Sequence, residues 1–206
     1  MAGAVESNLK MRDVSLSFGT LDPAREQVAK LLGQDILDAP TMMAIDRYTG
    51  TLYGALHGRG LKGTPTQHAH LSVEAMQRAK ESVLIQSALF GLISATDLIA
   101  NYKFSAAPKL KSIWAEPHQQ VFRRLAGPII DMRSKQYAAL APIPDDVESY
   151  WLEVVLQRAD GSRQSMNHFN KKSKGELVHG VLNAKQPPRT IRDLAEIAKR
   201  AGFALE

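Results

Sequence analysis

The chain has 206 residues, of which 44% are hydrophobic and 23% charged, so it is long enough for a hydrophobic core and ordinary in composition. No apolar run approaches the ~20 residues that a membrane-spanning helix needs. The sequence has no cysteine, which excludes disulfides, zinc–thiolate sites and cysteine nucleophiles. The first residues lack the basic start and apolar stretch of a secretory signal. We therefore predict a cytoplasmic protein with no membrane partner.

Positive charge is concentrated towards the C-terminal end of the sequence. The whole chain has a net charge of +5, and residues 162–200 contain nine Lys/Arg against three Asp/Glu. A one-sided basic surface is typical of proteins that bind a polyanion or a phosphorylated partner. A basic segment that only aids solubility is the other interpretation, and charge alone leaves both open.

Helix and strand signals alternate along the chain, which predicts one domain over residues 1–206 of the mixed α/β (α+β) class, with a short central sheet. Residues 1–20 are expected to be flexible. The signals of the first half predict a helix over 22–33, a short helix from Thr41, a second short helix after Gly50, a Gly/Pro-rich loop over 58–67 and a helix from Ser72 to about Lys80.

The second half begins with an apolar run typical of a covered strand. Its signals predict a strand at the start of 82–93 with a turn at Gly91, a helix over 113–126, a strand over 128–132, a short helix near Tyr137, a β-hairpin over 148–169, and helices over 174–183 and 190–201. Asp160-Gly161 supplies the hairpin turn. Thr190 and Asp193 form a capping box for the last helix.

The stretch HFNKKSKGEL, residues 168–177, combines a capping signal with three lysines. Ser173 and Glu176 fit a capping box that starts a helix at Lys174, where unpaired N–H groups and the helix dipole attract anions. A glycine at 175 would let a ligand approach the backbone. A phosphate site is one interpretation and a solvated basic turn the other. The predicted phosphate-binding residues are Asn170, Lys171, Lys172, Lys174 and Gly175.

Asp131 and Arg133 follow the predicted strand over 128–132. Side chains at strand ends commonly build sites in α/β proteins, so both are candidates, Asp131 for acid–base chemistry and Arg133 for a phosphate. The alternative is an ion pair that closes the strand against a neighbouring loop. Because no complete catalytic set accompanies them, the pair alone does not decide between these interpretations.

RYTGTLY, residues 47–53, places aromatic side chains beside a basic one. Tyr48, Thr49 and Tyr53 could stack on bases and contact phosphates, although packing tyrosines are equally common. His68 and His70 lie two residues apart, but an exposed loop pair is favoured over a metal site because no third ligand stands at a suitable spacing. We therefore predict no metal and no cofactor.

Four stretches, in this order and spacing, carry a family resemblance. RYTGTLY, SALFGLISATDLIANYK (87–103), IIDMRSKQY (129–137) and HFNKKSKGEL together resemble the YaaA / DUF328 (UPF0246) family of peroxide stress proteins. The actinobacterial members look most similar, and the resemblance covers roughly residues 40–205. The first strand and lysine typical of the family are not found before DVSLSFGTLDPAR, so the chain resembles a divergent or N-terminally shortened member.

The resemblance implies a mixed α/β fold with a positively charged cleft and a helix-hairpin-helix element near Ser87–Ile99. It also implies DNA binding and protection of DNA during peroxide stress. A hairpin of this kind contacts the DNA backbone through loop N–H groups, which makes Gly91 a further candidate.

Two functions follow from these residues. The first is sequence-tolerant DNA binding through backbone phosphates, with no catalysis. The alternative is an enzyme of the N-glycosidase kind that acts on a nucleotide, nucleoside or damaged base. In that alternative, Asp131 or Asp97 would be the acid–base group and Tyr48 or Tyr53 would stack on the base.

Overall fold

The computed structural model describes residues 6–59, 71–152, 155–157, 163–165 and 167–200. These residues form two compact units. Unit 1 contains residues 48–59, 71–82 and the described residues from 155 onward, and unit 2 contains residues 6–47 and 83–152. No helix in the described ranges is long and apolar enough to cross a membrane. A single domain over the whole chain stays a prediction.

Helices and short strands alternate, which confirms the mixed α/β class. The helices are α1 (Asp22–Ala29), α2 (Ala44–Arg47), α3 (Thr51–Leu56), α4 (Val73–Ser82), α5 (Lys111–Phe122), α6 (Lys135–Leu140), α7 (Asn167–Leu182) and α8 (Ile191–Arg200). The strands are β1 (Ser7–Lys10), β2 (Pro40–Met43), β3 (Leu84–Ser87), β4 (Gly91–Ser94), β5 (Leu98–Ala100), β6 (Ile129–Asp131), β7 (Ser149–Trp151), β8 (Val155–Gln157) and β9 (Arg163–Ser165).

Unit 2 is built on small sheets around an apolar core. Its three-stranded antiparallel sheet has the order β1-β2-β5, β3 and β4 form an antiparallel hairpin, and β6 pairs with β7 in parallel. The core side chains include Leu21, Ile45, Ile93, Ile99 and Trp114, each 0% exposed. Burial of these large side chains is the main favourable contribution to the stability of the unit.

A buried arginine ties α1 to the β3–β4 hairpin. The Arg25 guanidinium donates to the carbonyl oxygens of Phe90 at 2.8 Å and Leu92 at 3.0 Å, and also to that of Ser17 at 2.7 Å. An ion pair with Asp22 at 2.6 Å balances its charge. Because the side chain is 8% exposed, these bonds are required to offset the cost of burying a cation.

Unit 1 is mainly helical, and its helices approach one another closely. A Cβ added at Gly175 of α7 would overlap the carbonyl oxygen of Leu52 and come within 2.8 Å of the Ala55 Cβ, both on α3. From α4, Arg78 donates to the carbonyl oxygens of Leu182 and Ala184, each at 2.6 Å. These bonds satisfy carbonyl groups that the end of α7 would otherwise leave unpaired.

Several predicted elements are confirmed. A helix follows Gly50, and Ser72 caps α4 by accepting a bond from the Ala75 N–H at 3.1 Å. At the start of α8, Thr190 and Asp193 exchange bonds of 3.2 and 3.0 Å, as a capping box requires. The strands β8 and β9 pair antiparallel, which confirms a shorter hairpin than the one predicted over 148–169, because residues 149–151 form β7 and pair with β6. The predicted Asp160-Gly161 turn lies outside the described residues.

Three predictions of local structure are wrong. Thr41 lies in β2 rather than in a helix, because β2 is the middle strand between β1 and β5 and buries this side chain completely. The lysine-rich helix begins at Asn167 rather than at Lys174. The segment Ser87–Ile99 contains the end of β3, a turn, β4 and the start of β5, so it is not a helix-hairpin-helix.

Candidate nucleic-acid interface

The lysine run lies inside α7, which corrects the predicted anion site at a helix start. Ser173 is 1% exposed and Lys174 6% exposed, so neither stands in a solvated turn. Lys172 forms an ion pair with Glu176 at 3.4 Å along the helix. The backbone N–H groups near position 174 belong to the interior of α7 rather than to an electropositive helix start. Lys171 is exposed, and its role as a phosphate contact stays a prediction.

Gly175 is required by packing rather than by a ligand. Its Cα faces α3 so closely that any side chain would overlap the Leu52 carbonyl oxygen. The glycine therefore sets the distance between the two helices. Binding of a phosphate at Gly175 receives no support from this geometry, and Asn170, one turn earlier in α7 and half-buried, remains a prediction.

Six exposed cations of unit 1 lie on α7, α8 and the segment between them. We call this set the basic surface, and it consists of Lys171, Lys185, Arg189, Arg192, Lys199 and Arg200. The described residues of unit 1 contain twelve Lys/Arg and five Asp/Glu, a net charge of +7. Those of unit 2 contain twelve Lys/Arg and thirteen Asp/Glu, a net charge of −1. Within the described ranges, the net positive charge therefore lies in unit 1.

One acidic side chain near the basic surface is already used by the backbone. Asp193 accepts bonds from the N–H groups of Arg189 at 2.9 Å and Thr190 at 3.0 Å. The Arg189 N–H and the Thr190 hydroxyl lower the pKa of Asp193 below its ordinary value. This carboxylate fixes the start of α8 and so holds Arg189 and Arg192 at one end of the helix.

The candidate tyrosines of unit 1 pack on each other. The ring centroids of Tyr48 and Tyr53 are 5.4 Å apart, with 28° between the planes. Gly50 lies between them with φ of 108°, which lets the chain turn into α3. Thr49 is exposed beside this turn. The packing interpretation is thus observed, and stacking of these rings on a base stays a prediction.

Asp131 and Arg133 form the strand-closing ion pair that was the structural alternative. The guanidinium donates through Nε to Oδ1 at 2.8 Å and through a terminal nitrogen to Oδ2 at 2.7 Å. It also bonds to the Ala141 carbonyl oxygen at 2.8 Å and to the Gln86 side chain. Asp131 is 7% exposed. A buried bidentate pair of this kind stabilises the end of β6, and its geometry gives no support to acid–base or phosphate-binding roles.

Asp97 anchors a loop of unit 2. One carboxylate oxygen accepts from the Ser17 and Ser94 N–H groups at 2.9 and 3.1 Å, and the other accepts from the Ser17 hydroxyl at 2.7 Å. The two bonds from Ser17 hold the chain before α1 against the turn that follows β4, and the bond from Ser94 lies within that turn. The predicted catalytic role of Asp97 remains untested, whereas its structural role is visible in these contacts.

Gly91 and the turn before it face the interior of unit 2. Gly91 has φ of 67°, and a Cβ there would lie 2.7 Å from the Trp114 ring. The N–H groups of Leu89 and Phe90 donate to the buried Ser87 hydroxyl at 3.1 and 2.9 Å. Because these donors are used within the turn, they do not present the N–H groups by which a helix-hairpin-helix holds a phosphate.

His118 is a buried group that the sequence interpretation missed. It is 0% exposed, its Nδ1–H donates to the Trp114 carbonyl oxygen at 2.8 Å, and its Nε2 has no hydrogen-bond partner among the described atoms. Burial lowers the pKa of His118 to about 4, so the ring is neutral near pH 7. Its position four residues after Trp114 on α5 was the available signal, since this spacing puts both on one helix face.

Metal ligands are the last group of candidates. His68 and His70 lie outside the described residues. Within the described ranges, no group of three or more His, Asp or Glu side chains is placed to hold a metal ion.

Comparison with known sequences decides the family. The profile described as "Peroxide stress protein YaaA" matches residues 10–206, nearly the whole chain. The chain belongs to the YaaA family. A UPF0246 protein of Corynebacterium glutamicum strain R is 34% identical over 177 residues, which covers 81% of this chain and 65% of that protein. One from Streptomyces coelicolor is 31% identical over 205 residues, which covers 96% and 73% respectively.

The UPF0246 relatives are longer than this chain. A second Corynebacterium glutamicum protein, from strain ATCC 13032, is 34% identical over 178 residues, and the match covers 82% of this chain and 66% of that relative. The chain thus spans about two-thirds of the length of the Corynebacterium relatives it matches. The resemblance inferred from four motifs is confirmed by these matches.

Proposed function

We propose that this protein binds DNA through its backbone phosphates, with little dependence on base sequence, as part of a response to peroxide stress. Membership of the YaaA family supports the peroxide stress role. The observation that supports DNA binding is the division of charge, because unit 1 carries +7 and unit 2 carries −1 over their described residues. A duplex would therefore be attracted to unit 1.

The exposure of the basic surface suits phosphate contacts. All six of its cations are exposed, so they can reach phosphates without the cost of leaving a buried position. Each lysine or arginine that neutralises a phosphate releases condensed counterions, and this release favours binding at low salt. Exposed cations arranged on two helices contact the backbone without reading base edges, which makes the binding sequence-tolerant.

The alternative function, an enzyme that acts on a nucleotide, nucleoside or damaged base, has less support from the described residues. Asp131 is held by the Arg133 guanidinium, and Asp97 accepts three bonds that fix a loop. Neither carboxylate is presented as an acid or base for a substrate. DNA binding without catalysis is therefore the function that the described residues support best.

Salt-dependent binding to labelled duplexes tests this proposal. Fluorescence anisotropy with two unrelated sequences should give similar Kd values that weaken steeply as NaCl rises. The variant Lys185→Ala/Arg192→Ala/Lys199→Ala should bind at least about tenfold more weakly, with a log–log salt slope smaller by about 3, because each lost phosphate contact removes about 1 from the slope.

A matched variant controls for net charge. Lys109→Ala/Lys111→Ala/Arg124→Ala removes three exposed cations from unit 2 and should change Kd by less than about threefold. Equal losses in the two triple variants would show that total charge, and not the basic surface, governs binding. No affinity at low salt would end the proposal.

A further inference from the structure

We propose that Met11 is a site of modification by hydroperoxides, and that oxidation of its thioether to a sulfoxide removes the acceptor of a hydrogen bond from the Ala100 N–H of β5. The inference concerns unit 2 and does not depend on DNA binding. It rests on a contact of the Met11 sulfur and on the absence of cysteine from the sequence.

The sulfur of Met11 takes the place of a backbone acceptor at the end of a strand ladder. Met11 follows β1 directly, and its N–H donates to the Ala39 carbonyl oxygen at 3.1 Å. Its Sδ accepts a bond from the Ala100 N–H at 3.4 Å. Ala100 pairs with Thr41 in the last pair of the β2–β5 ladder and is 0% exposed. The thioether therefore satisfies a buried N–H group that lies where the pairing of β2 and β5 ends.

Methionine side chains supply the oxidisable sulfur of this chain. With no cysteine, a hydroperoxide that oxidises sulfur here must act on a thioether. One sulfur lone pair attacks the outer peroxide oxygen, the O–O bond breaks, and water or an alcohol leaves as the sulfur is oxidised by two electrons. Met11 is half-buried rather than enclosed, so a small peroxide can reach it.

The hydrogen bond to Ala100 determines which sulfur lone pair reacts and how the sheet responds. One sulfur lone pair faces the Ala100 N–H, so attack uses the other lone pair and produces mainly one of the two sulfoxide epimers. A sulfoxide sulfur carries positive charge and accepts hydrogen bonds poorly. The Ala100 N–H then loses its acceptor in a buried position, which favours local opening of the contact between Met11, directly after β1, and the end of β5.

Peroxide treatment of the folded chain tests the chemistry directly. Peptide mass spectrometry after hydrogen peroxide should find sulfoxide at Met11. One of the two epimer-specific methionine sulfoxide reductases should then reverse most of it. Hydrogen exchange of the Ala100 amide should be about tenfold faster after oxidation and should return to its original rate after reduction. An unmodified Met11 under conditions that oxidise other methionines of the folded chain would overturn the proposal.

Two variants separate Met11 from the other methionines. Met42→Leu, in β2 of the same sheet, should leave the peroxide-dependent change in Ala100 exchange intact. Met11→Leu should abolish that change, because no sulfur remains there to be oxidised. If Met11→Leu fails to fold, the epimer measurement on the unaltered protein still decides, since equal reduction by both reductases contradicts the protected lone pair.

Discussion

At the scale of single residues, buried polar side chains of unit 2 stabilise its own loops and strand ends. Arg25 binds the β3–β4 hairpin, Asp97 anchors Ser17, and Asp131 pairs with Arg133. In the sequence, Asp131 and Arg133 were candidates for a reactive site because they follow a predicted strand. The bonds that these groups make instead replace the water that they lose on burial.

The buried imidazole of His118 should make the stability of unit 2 depend on pH. Its folded pKa of about 4 lies below the ordinary 6.5, so between these values the unfolded chain binds more protons. The contribution of the neutral His118 ring to the free energy of unfolding is complete above pH 6.5 and is lost as the pH falls towards 4. The loss should amount to about 3 kcal/mol of the free energy of unfolding.

Urea unfolding followed by tryptophan fluorescence measures this dependence, since Trp114 is buried in unit 2. His118→Asn, which retains a donor near the Nδ1 position, should flatten the change in stability between pH 6.5 and 4. A profile that keeps its slope in His118→Asn would assign the pH dependence to other groups.

At the scale of elements, α7 shows how packing overrides a local signal. Its sequence contains a good capping box at Ser173, yet the helix begins at Asn167 and passes through that position. Gly175 packs closely against α3, and the neighbouring Ser173 and Lys174 are buried within unit 1. Tertiary burial therefore selected the longer helix over the one that the capping box would start.

Gly175→Ala should destabilise unit 1 because the added methyl overlaps the Leu52 carbonyl oxygen. We expect a loss of about 2–3 kcal/mol. Gly180→Ala is the matched control in the same helix, because its Cβ would lie 3.5 Å from the Ile197 Cγ2, an ordinary contact. The control should gain up to about 1 kcal/mol in helix propensity. Circular dichroism during urea unfolding compares the two, and equal effects would contradict the close approach of α3.

At the scale of the whole molecule, the two units differ in net charge although their described residues contain equal numbers of basic side chains. Unit 1 and unit 2 each contain twelve Lys/Arg in their described residues, and the difference in net charge comes from their acidic residues, five against thirteen. A binding surface can therefore arise by leaving acidic residues out as well as by adding basic ones.

DNA binding should protect the amides of only one unit. In hydrogen exchange with saturating duplex DNA at low salt, amides of α7 and α8 should exchange more slowly, while those of the β1–β2–β5 sheet should not change. Ligand binding protects the region it contacts and stabilises. Uniform protection across both units, or protection centred on Asp131 in unit 2, would place the binding surface elsewhere.

Local patterns and composition were enough to predict the family, the fold class, the clustering of basic charge and the helix starts whose caps lie within a few residues. Each is carried by residues close together in the chain or by composition, as with Thr190 and Asp193. Tertiary contacts set the strand at Thr41, the start of α7 and the hydrogen bonds that Asp97 accepts from Ser17. These features depend on partners that are distant in the sequence, and local patterns do not specify such partners. Ser17 and Asp97, for example, are separated by 80 positions. The tertiary structure also decided which lysines reach solvent, because Lys174 is buried in unit 1 whereas Lys171, one turn earlier in α7, is exposed.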